Sequence, residues 1–162
     1  MSLIISDIDG VIADCSHRLH WQKAKCYDEF YSDANIERDE PIEDGIALLN
    51  MLKNSGDDVR IVLCSGRNEK CKDATRRWLR QRAFDNYEAL YMRKDKDYRP
   101  SETVKPEMVE EIIRSYIARD VDLYHIYFID DDPKNVKAVC EKFNDITGII
   151  YGKERLSDED DA

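Results

Sequence analysis

The sequence predicts an α/β fold, in which a parallel β-sheet carries helices on both faces and a small insert follows the first strand. Three observations predict it. Short apolar runs alternate with helical patterns along the chain. Three of those runs end in carboxylates or in Ser-Gly-Arg. The length of 162 residues suits one domain with a real core and is short for two. Alternation of strand and helix means a parallel sheet with right-handed crossovers. In such a sheet the crevice at the carboxyl ends of the strands is where ligands bind.

The elements follow in order. Leu3-Ile4-Ile5-Ser6-Asp7-Ile8-Asp9-Gly10 is an apolar run that ends in two carboxylates and a glycine. The stretch from Ala13 to Glu40 is polar and aromatic, with His17, His20, Trp21, Tyr27, Phe30 and Tyr31. It reads as an insert holding one short helix, placed where it can overhang the strand end. Pro41 suits a first helical turn, and Ile42, Ile46, Leu49 and Leu52 follow at helical spacing before Gly56. Val59 to Cys64 is the second strand and runs into Ser65-Gly66-Arg67. Asn68 then caps a helix carrying Ala74, Trp78 and Leu79 that fades near Phe84. Ala89 to Met92 is a short strand. Lys105-Pro106 opens a helix with Met108, Val109, Ile112, Ile113 and Tyr116 on its apolar side. Tyr124 to Ile129 runs into Asp130-Asp131-Asp132-Pro133, and that proline opens a helix with Val136, Val139, Cys140 and Phe143. Gly148 to Tyr151 is the last strand. Residues 1–152 form the domain, and Asp158-Glu159-Asp160-Asp161 belong to an acidic, disordered tail over 153–162.

Composition excludes several classes. Hydrophobic residues make up 42% and charged residues 37%, the balance of a soluble globular chain with a heavily charged surface. No apolar stretch approaches the length of a membrane span. Met1-Ser2 leads straight into a strand, which leaves no room for a signal peptide. The five cysteines, Cys15, Cys26, Cys64, Cys71 and Cys140, are odd in number and form no CxxC pair. They point to a reducing compartment, the cytoplasm, and away from a disulfide framework or a thiolate zinc site. A net charge of −10 is poorly suited to non-specific nucleic-acid binding. Cations are locally dense between Arg76 and Arg99, so a basic patch on the acidic body stays open.

The candidate chemistry lies at the strand ends. Asp7 and Asp9 are two residues apart and can face one side of a strand. Close carboxylates repel, so one keeps its proton unless a cation neutralises the pair. An ionised Asp is a nucleophile and a protonated neighbour a general acid. An acidic surface loop is the alternative for this pair taken alone. A calcium loop is rejected, because the positions for its glycine and its last glutamate are Ile12 and Arg18. Gly10 permits the tight turn that follows. Asp130, Asp131 and Asp132 exceed what a helix cap needs, and Asp132 is the one assigned to capping. Oxygen ligands in excess suit Mg²⁺. The Ser65 hydroxyl and nearby N–H groups could cradle a phosphate at a helix terminus, with Arg67 adding a bidentate grip. Lys105, by position alone, is a solvated surface charge. His17 and His20 lack companion metal ligands, His125 reads as structural and Trp78 as core. Trp21 could stack on a base or pack beneath the insert.

Asp7-Ile8-Asp9-Gly10, Ser65, Lys105 and Asp130-Asp131, in that order at strand ends, resemble the haloacid dehalogenase (HAD) superfamily of phosphatases, whose fold is a Rossmann-like parallel sheet. A closer likeness is to the phosphatase half of polynucleotide kinase-phosphatase. That likeness rests on Ser65-Gly66-Arg67, Thr75-Arg76-Arg77-Trp78, Met92-Arg93, Arg99, Val104-Lys105 and Arg18. It departs at Ser101, where the related phosphatases place an acidic residue four before the lysine; Glu102 stands in, or the substrate preference differs. No GxxxxGK[ST] sequence is present, so no P-loop kinase lies on this chain.

The resemblance implies a mechanism. Asp7 attacks phosphorus to form an aspartyl-phosphate; Asp9 protonates the leaving oxygen and then activates water. Asp7, the backbone carbonyl of Asp9, and Asp130 hold Mg²⁺ with Asp131 in support, and Ser65 and Lys105 hold the phosphoryl oxygens. Gly66, Arg18 and Arg67 bind the rest of the substrate. The stretch between Ser65 and Lys105 is too short for a large cap domain, and in this superfamily an uncapped site suits a nucleic-acid end. Three functions are therefore expected in order: an Mg²⁺-dependent phosphomonoesterase of a nucleotide or nucleic-acid end, with a 3′-phosphate leading; the same chemistry on a mononucleotide or other small ester; and a silent binding module, which would not need both Asp7 and Asp9.

Overall fold

The computed structural model describes residues 1–152; the segment assigned to an acidic tail, 153–162, lies outside the described residues. The strands are β1 (Ser2–Ser6), β2 (Ala13–Asp14), β3 (Glu40–Pro41), β4 (Val59–Asn68), β5 (Ala89–Arg93), β6 (His125–Asp130) and β7 (Ile146–Ile150). The helices are α1 (Leu19–Lys23), α2 (Tyr27–Phe30), α3 (Asp33–Glu37), α4 (Glu43–Lys53), α5 (Lys72–Arg82), α6 (Ser101–Ile117) and α7 (Pro133–Lys142). Five strands form one parallel sheet in the order β5-β4-β1-β6-β7. β1 is central because it is apolar on both faces. Ile4 joins the core layer built on α4 and α5, while Leu3 and Ile5 join the layer built on α6 and α7. β4 divides in the same way, Ile61 and Leu63 against Val62 and Cys64.

The strand order decides where the site lies. The crossover from β1 leads to β4 on one side and the crossover from β6 leads to β7 on the other, so a crevice opens above the carboxyl ends of β1 and β6. Asp7 follows one of those ends and Asp130 terminates the other.

Several local expectations are corrected. The insert has three short α-helices, α1 to α3, preceded by a 3-10 turn at Ser16–Arg18, rather than one helix, and is closed by a two-stranded antiparallel pairing of β2 with β3. Pro41 lies in β3, and α4 starts at Glu43. β4 runs through Ser65-Gly66-Arg67 to Asn68 with a register shift between Ser65 and Asn68, so this motif forms a bulged strand end rather than a helix terminus. α6 starts at Ser101, a turn before Lys105-Pro106. Pro106 falls in the second turn of α6, where its missing N–H removes one bond, to the carbonyl of Glu102. β7 begins two residues before the predicted Gly148.

Helix α4 packs against the turn after Asp9 through Gly45, where an added Cβ would lie 1.7 Å from the Val11 carbonyl oxygen. Backbone cannot yield as a side chain does. Gly45→Ala is expected to cost about 3 kcal/mol, the upper end of overpacking, and to lower Tm by roughly 6–12 °C in a thermal melt. An unchanged Tm would show that α4 slides freely.

Candidate active site

Asp7 lies just beyond β1, where its N–H donates to the Ile129 carbonyl at 2.8 Å and extends the ladder with β6. Lys105 reaches it from α6: Nζ is 2.9 Å from Asp7 Oδ1, 3.1 Å from Asp130 Oδ2 and donates to the Cys64 carbonyl at 2.7 Å. Lys105 is 1% exposed, so the surface charge read from its position is in fact a buried cation. Asp7, Asp130 and Asp131 each bring a carboxylate oxygen within 4.8 Å of the others. Gly10 allows this approach. Its φ is +80°, and a Cβ there would lie 2.0 Å from Asp131 Oδ2.

The electrostatics show excess negative charge. Burial pushes the Asp7 carboxyl up to about 8; Lys105 opposes the shift, and Asp130 and Asp9 add to it. Partial burial and the Asp130 charge raise Asp131 to about 6. Burial lowers the Lys105 ammonium, but Asp7 and Asp130 outweigh it and hold it above its usual range. One lysine against three carboxylates leaves room for a divalent cation. A donor set of oxygens alone fits Mg²⁺. Asn135 Nδ2 donates to both oxygens of Asp130, at 3.2 and 3.1 Å, and fixes that carboxylate.

Asp9 faces elsewhere. Strand alternation does not set its direction, because β1 ends at Ser6. Arg67 grips both of its oxygens, Nη2 to Oδ1 at 2.7 Å and Nε to Oδ2 at 3.1 Å, and Arg18 Nη2 reaches Oδ1 at 3.3 Å. Burial pushes the Asp9 carboxyl up, but Arg67, Arg18 and Lys105 together hold it below the usual range.

Behind the arginines sits Asp39, fully buried. It accepts from Arg18 Nε at 2.8 Å, Arg18 Nη2 at 2.9 Å and Arg67 Nη2 at 2.7 Å, and pairs with His17 Nε2 at 2.8 Å. Arg67 Nη1 donates to Thr75 Oγ1, and the Arg18 guanidinium lies 4.5 Å from the Phe30 ring centroid. Two guanidinium groups and two carboxylates thus form one braced unit. Sequence reasoning missed Asp39, which in the string Arg38-Asp39-Glu40 carries no spacing signal. Arg18 and Arg67, expected to bind the substrate, are both buried and bond to Asp9 and Asp39.

The remaining candidates fall around these two groups. The buried Ser65 hydroxyl accepts from the Arg67 N–H at 3.1 Å, and Ser65 adjoins the Cys64 carbonyl that Lys105 holds. The Gly66 carbonyl accepts from Tyr31 Oη at 3.3 Å and Arg93 Nε at 3.1 Å. Asp132 caps α7, its Oδ1 accepting from the Lys134 N–H at 2.9 Å. Trp78 is core, and its Nε1 donates to the Asp39 carbonyl at 2.8 Å. Glu102, the acidic residue next to Ser101, is exposed in the first turn of α6. Of the cations between Arg76 and Arg99, Arg76, Arg77, Arg82, Lys94 and Arg99 each pair with a carboxylate, and Arg93 bonds backbone carbonyls.

Residues 1–140 match the family described as "Polynucleotide kinase PNKP phosphatase domain". The chain belongs to this family. It is a phosphatase of the HAD type, with the parallel sheet of that fold and no large cap among the described residues. No curated protein matches the sequence. Among solved structures, the chain is similar to one from a Pnkp1/Rnl/Hen1 RNA repair complex, with 22% identity, TM-score 0.66, and coverage of 94% of this chain and 43% of that one. This chain therefore spans less than half the length of that relative. It is also similar to a haloacid dehalogenase-like family protein, SP0104 of Streptococcus pneumoniae, with 11% identity, TM-score 0.64, and coverage of 93% and 84%. A HAD family enzyme of Bacteroides thetaiotaomicron, solved with magnesium and inorganic phosphate, aligns at 17% identity and TM-score 0.57 over 98% of both chains. At these identities the structural likeness speaks for the fold.

Proposed function

We propose that this HAD phosphatase, with residues 1–152 as its domain, is an Mg²⁺-dependent phosphomonoesterase of a phosphorylated nucleic-acid end or nucleotide, a 3′-phosphate foremost. The carrying observation is Asp7 held between Lys105 and the Asp130–Asp131 pair at adjacent strand ends. Asp7, the Asp9 carbonyl, Asp130 and Asp131 would hold the cation, which when bound supplies neutralising charge for the phosphoryl oxygens.

The residues divide the work. An Asp7 carboxylate oxygen attacks phosphorus, the bond to the leaving oxygen breaks, and Asp9 donates the proton that oxygen needs. Asp9, now a carboxylate, takes a proton from water as that water attacks the aspartyl-phosphate. Phosphate leaves and Asp7 is restored. The arginine bracing favours the carboxylate form of Asp9, which serves the second half. An entering phosphate dianion offsets the guanidinium charges and lets Asp9 hold its proton for the first half. Ser65 and Lys105 stabilise the phosphoryl oxygens, and Arg18 and Arg67 orient Asp9. The five free cysteines support a cytoplasmic setting, and no helix among the described residues is long and apolar enough to cross a membrane.

A second reading, turnover of mononucleotides, is favoured by the net charge of −10 and by the paired cations. The test is phosphate release, with Mg²⁺ and with EDTA, from a 3′-phosphorylated oligonucleotide, a 5′-phosphorylated one and the matching mononucleotides. Mg²⁺-dependent turnover with 3′-phosphates preferred is the expected result. Full activity in EDTA would overturn the metal assignment, and absence of turnover on all of them the nucleotide reading.

A further inference from the structure

A cleft of about 560 Å³ lies between the α1–α2 segment and the connection from β5 to α6, outside the acidic cluster. It adjoins the phosphate site through Gly66. Tyr31 and Arg93, which hold the carbonyl of Gly66, both line the cleft. So does Ser101, whose Oγ would lie 3.7 Å from a Cβ on Gly66. The cleft therefore borders Gly66, the residue that follows Ser65.

Two tyrosines stand across this cleft. Tyr27 comes from α2 and Tyr98 from the opposite wall; their ring centroids are 5.8 Å apart at an interplanar angle of 34°. Tyr98 is 70% exposed and Tyr27 36%, although neither ring is needed for the core. The charged lining residues balance, with four acidic and four basic. Several of these are already engaged. Arg93 Nη1 donates to the Asp97 and Arg99 carbonyls, Arg99 pairs with Asp97 and Glu107, and Lys70 pairs with Asp95. A run of phosphodiesters needs a cationic track, whereas the four cations of this cleft are matched by four carboxylates. A flat, neutral heterocycle with polar edges matches aromatic rings and an amide such as Gln22.

We infer that the cleft holds the single nucleoside that bears the scissile phosphate, with Tyr98 and Tyr27 as its stacking platform, and that recognition ends there. This rests on the phosphatase reading above and names the part of the substrate that the site selects. A 3′-phosphorylated oligonucleotide then binds no better than the matching nucleoside monophosphate.

The experiment compares wild type with Tyr98→Ala and Tyr98→Phe on three Mg²⁺-supported substrates: a 3′-phosphorylated oligonucleotide, a nucleoside 3′-monophosphate and base-less deoxyribose 3-phosphate. The readout is the ratio of KM for the base-less ester to KM for each nucleotide. Tyr98→Ala is expected to lower that ratio about tenfold, whereas Tyr98→Phe keeps it, since stacking needs the ring and not the hydroxyl. An unchanged ratio, or an oligonucleotide KM more than about tenfold below that of the mononucleotide, overturns the inference. Calorimetric binding of the nucleoside monophosphate to wild type and Tyr98→Ala without metal provides a readout independent of turnover. Weaker binding to the variant supports the cleft assignment, and equal binding overturns it. If no ester turns over, the phosphatase reading fails while this binding comparison still decides the cleft.

Discussion

Asp7→Asn will abolish phosphate release, by on the order of 10⁴-fold or more, without lowering Tm. The amide keeps the size of the carboxylate but cannot attack phosphorus as a nucleophile. Stability should hold because burial already disfavours the charged form of Asp7, pushing its carboxyl up to about 8, and the neutral amide fits the same place. Lys105 keeps its bonds to Asp130 and to the Cys64 carbonyl. Steady-state assays and thermal melts on the same preparations check both halves. A variant within tenfold of wild-type activity would remove Asp7 as nucleophile; a lost fold would show that Asp7 is chiefly the partner of Lys105.

Asp39→Ala carries the largest expected stability loss, about 3–5 kcal/mol, because it strips a buried carboxylate from two buried guanidinium groups. The corresponding fall in Tm is roughly 6–20 °C. Asp9 alone would then face both arginines, and His17 would lose its partner. Catalysis should fall as well, since Arg67 is braced on Asp39 at 2.7 Å while it grips Asp9. Asp39→Asn keeps the volume and some hydrogen bonds and should lose less. Urea unfolding of the two variants measures this order. A loss below about 1 kcal/mol in Asp39→Ala would mean that water solvates the arginines and that the bracing role is wrong.

Legibility in the sequence was uneven for physical reasons. The five sheet strands and the four long helices were readable because apolar periodicity is a local property. Asp130–Asp131 stood out because three adjacent carboxylates at a strand end exceed any capping need, and Asp132 does cap α7. Lys105 was misread when judged by position alone, since burial depends on which strand ends a helix overlies. Arg18 and Arg67 were expected on the substrate, and their bonds to Asp9 and Asp39 were not foreseen, because a guanidinium in a loop or at a strand end has no sequence mark of burial. Their partner Asp39 lies 21 and 28 positions away.

The sequence by itself determined the layered α/β architecture and the delivery of carboxylates, a serine and glycines to strand ends. Alternation and turn chemistry act over a few residues, so those features survive without knowledge of the fold. Only the tertiary structure decided which charges meet. The order β5-β4-β1-β6-β7 sets Asp7 beside Asp130, and the closure of the insert by β2 and β3 carries Asp39 beneath Arg18 and Arg67. It also set Tyr27 across from Tyr98, two residues with no pattern linking them in the chain. Such pairings join segments tens of residues apart, and their energies depend on burial, which exists only once the chain has packed.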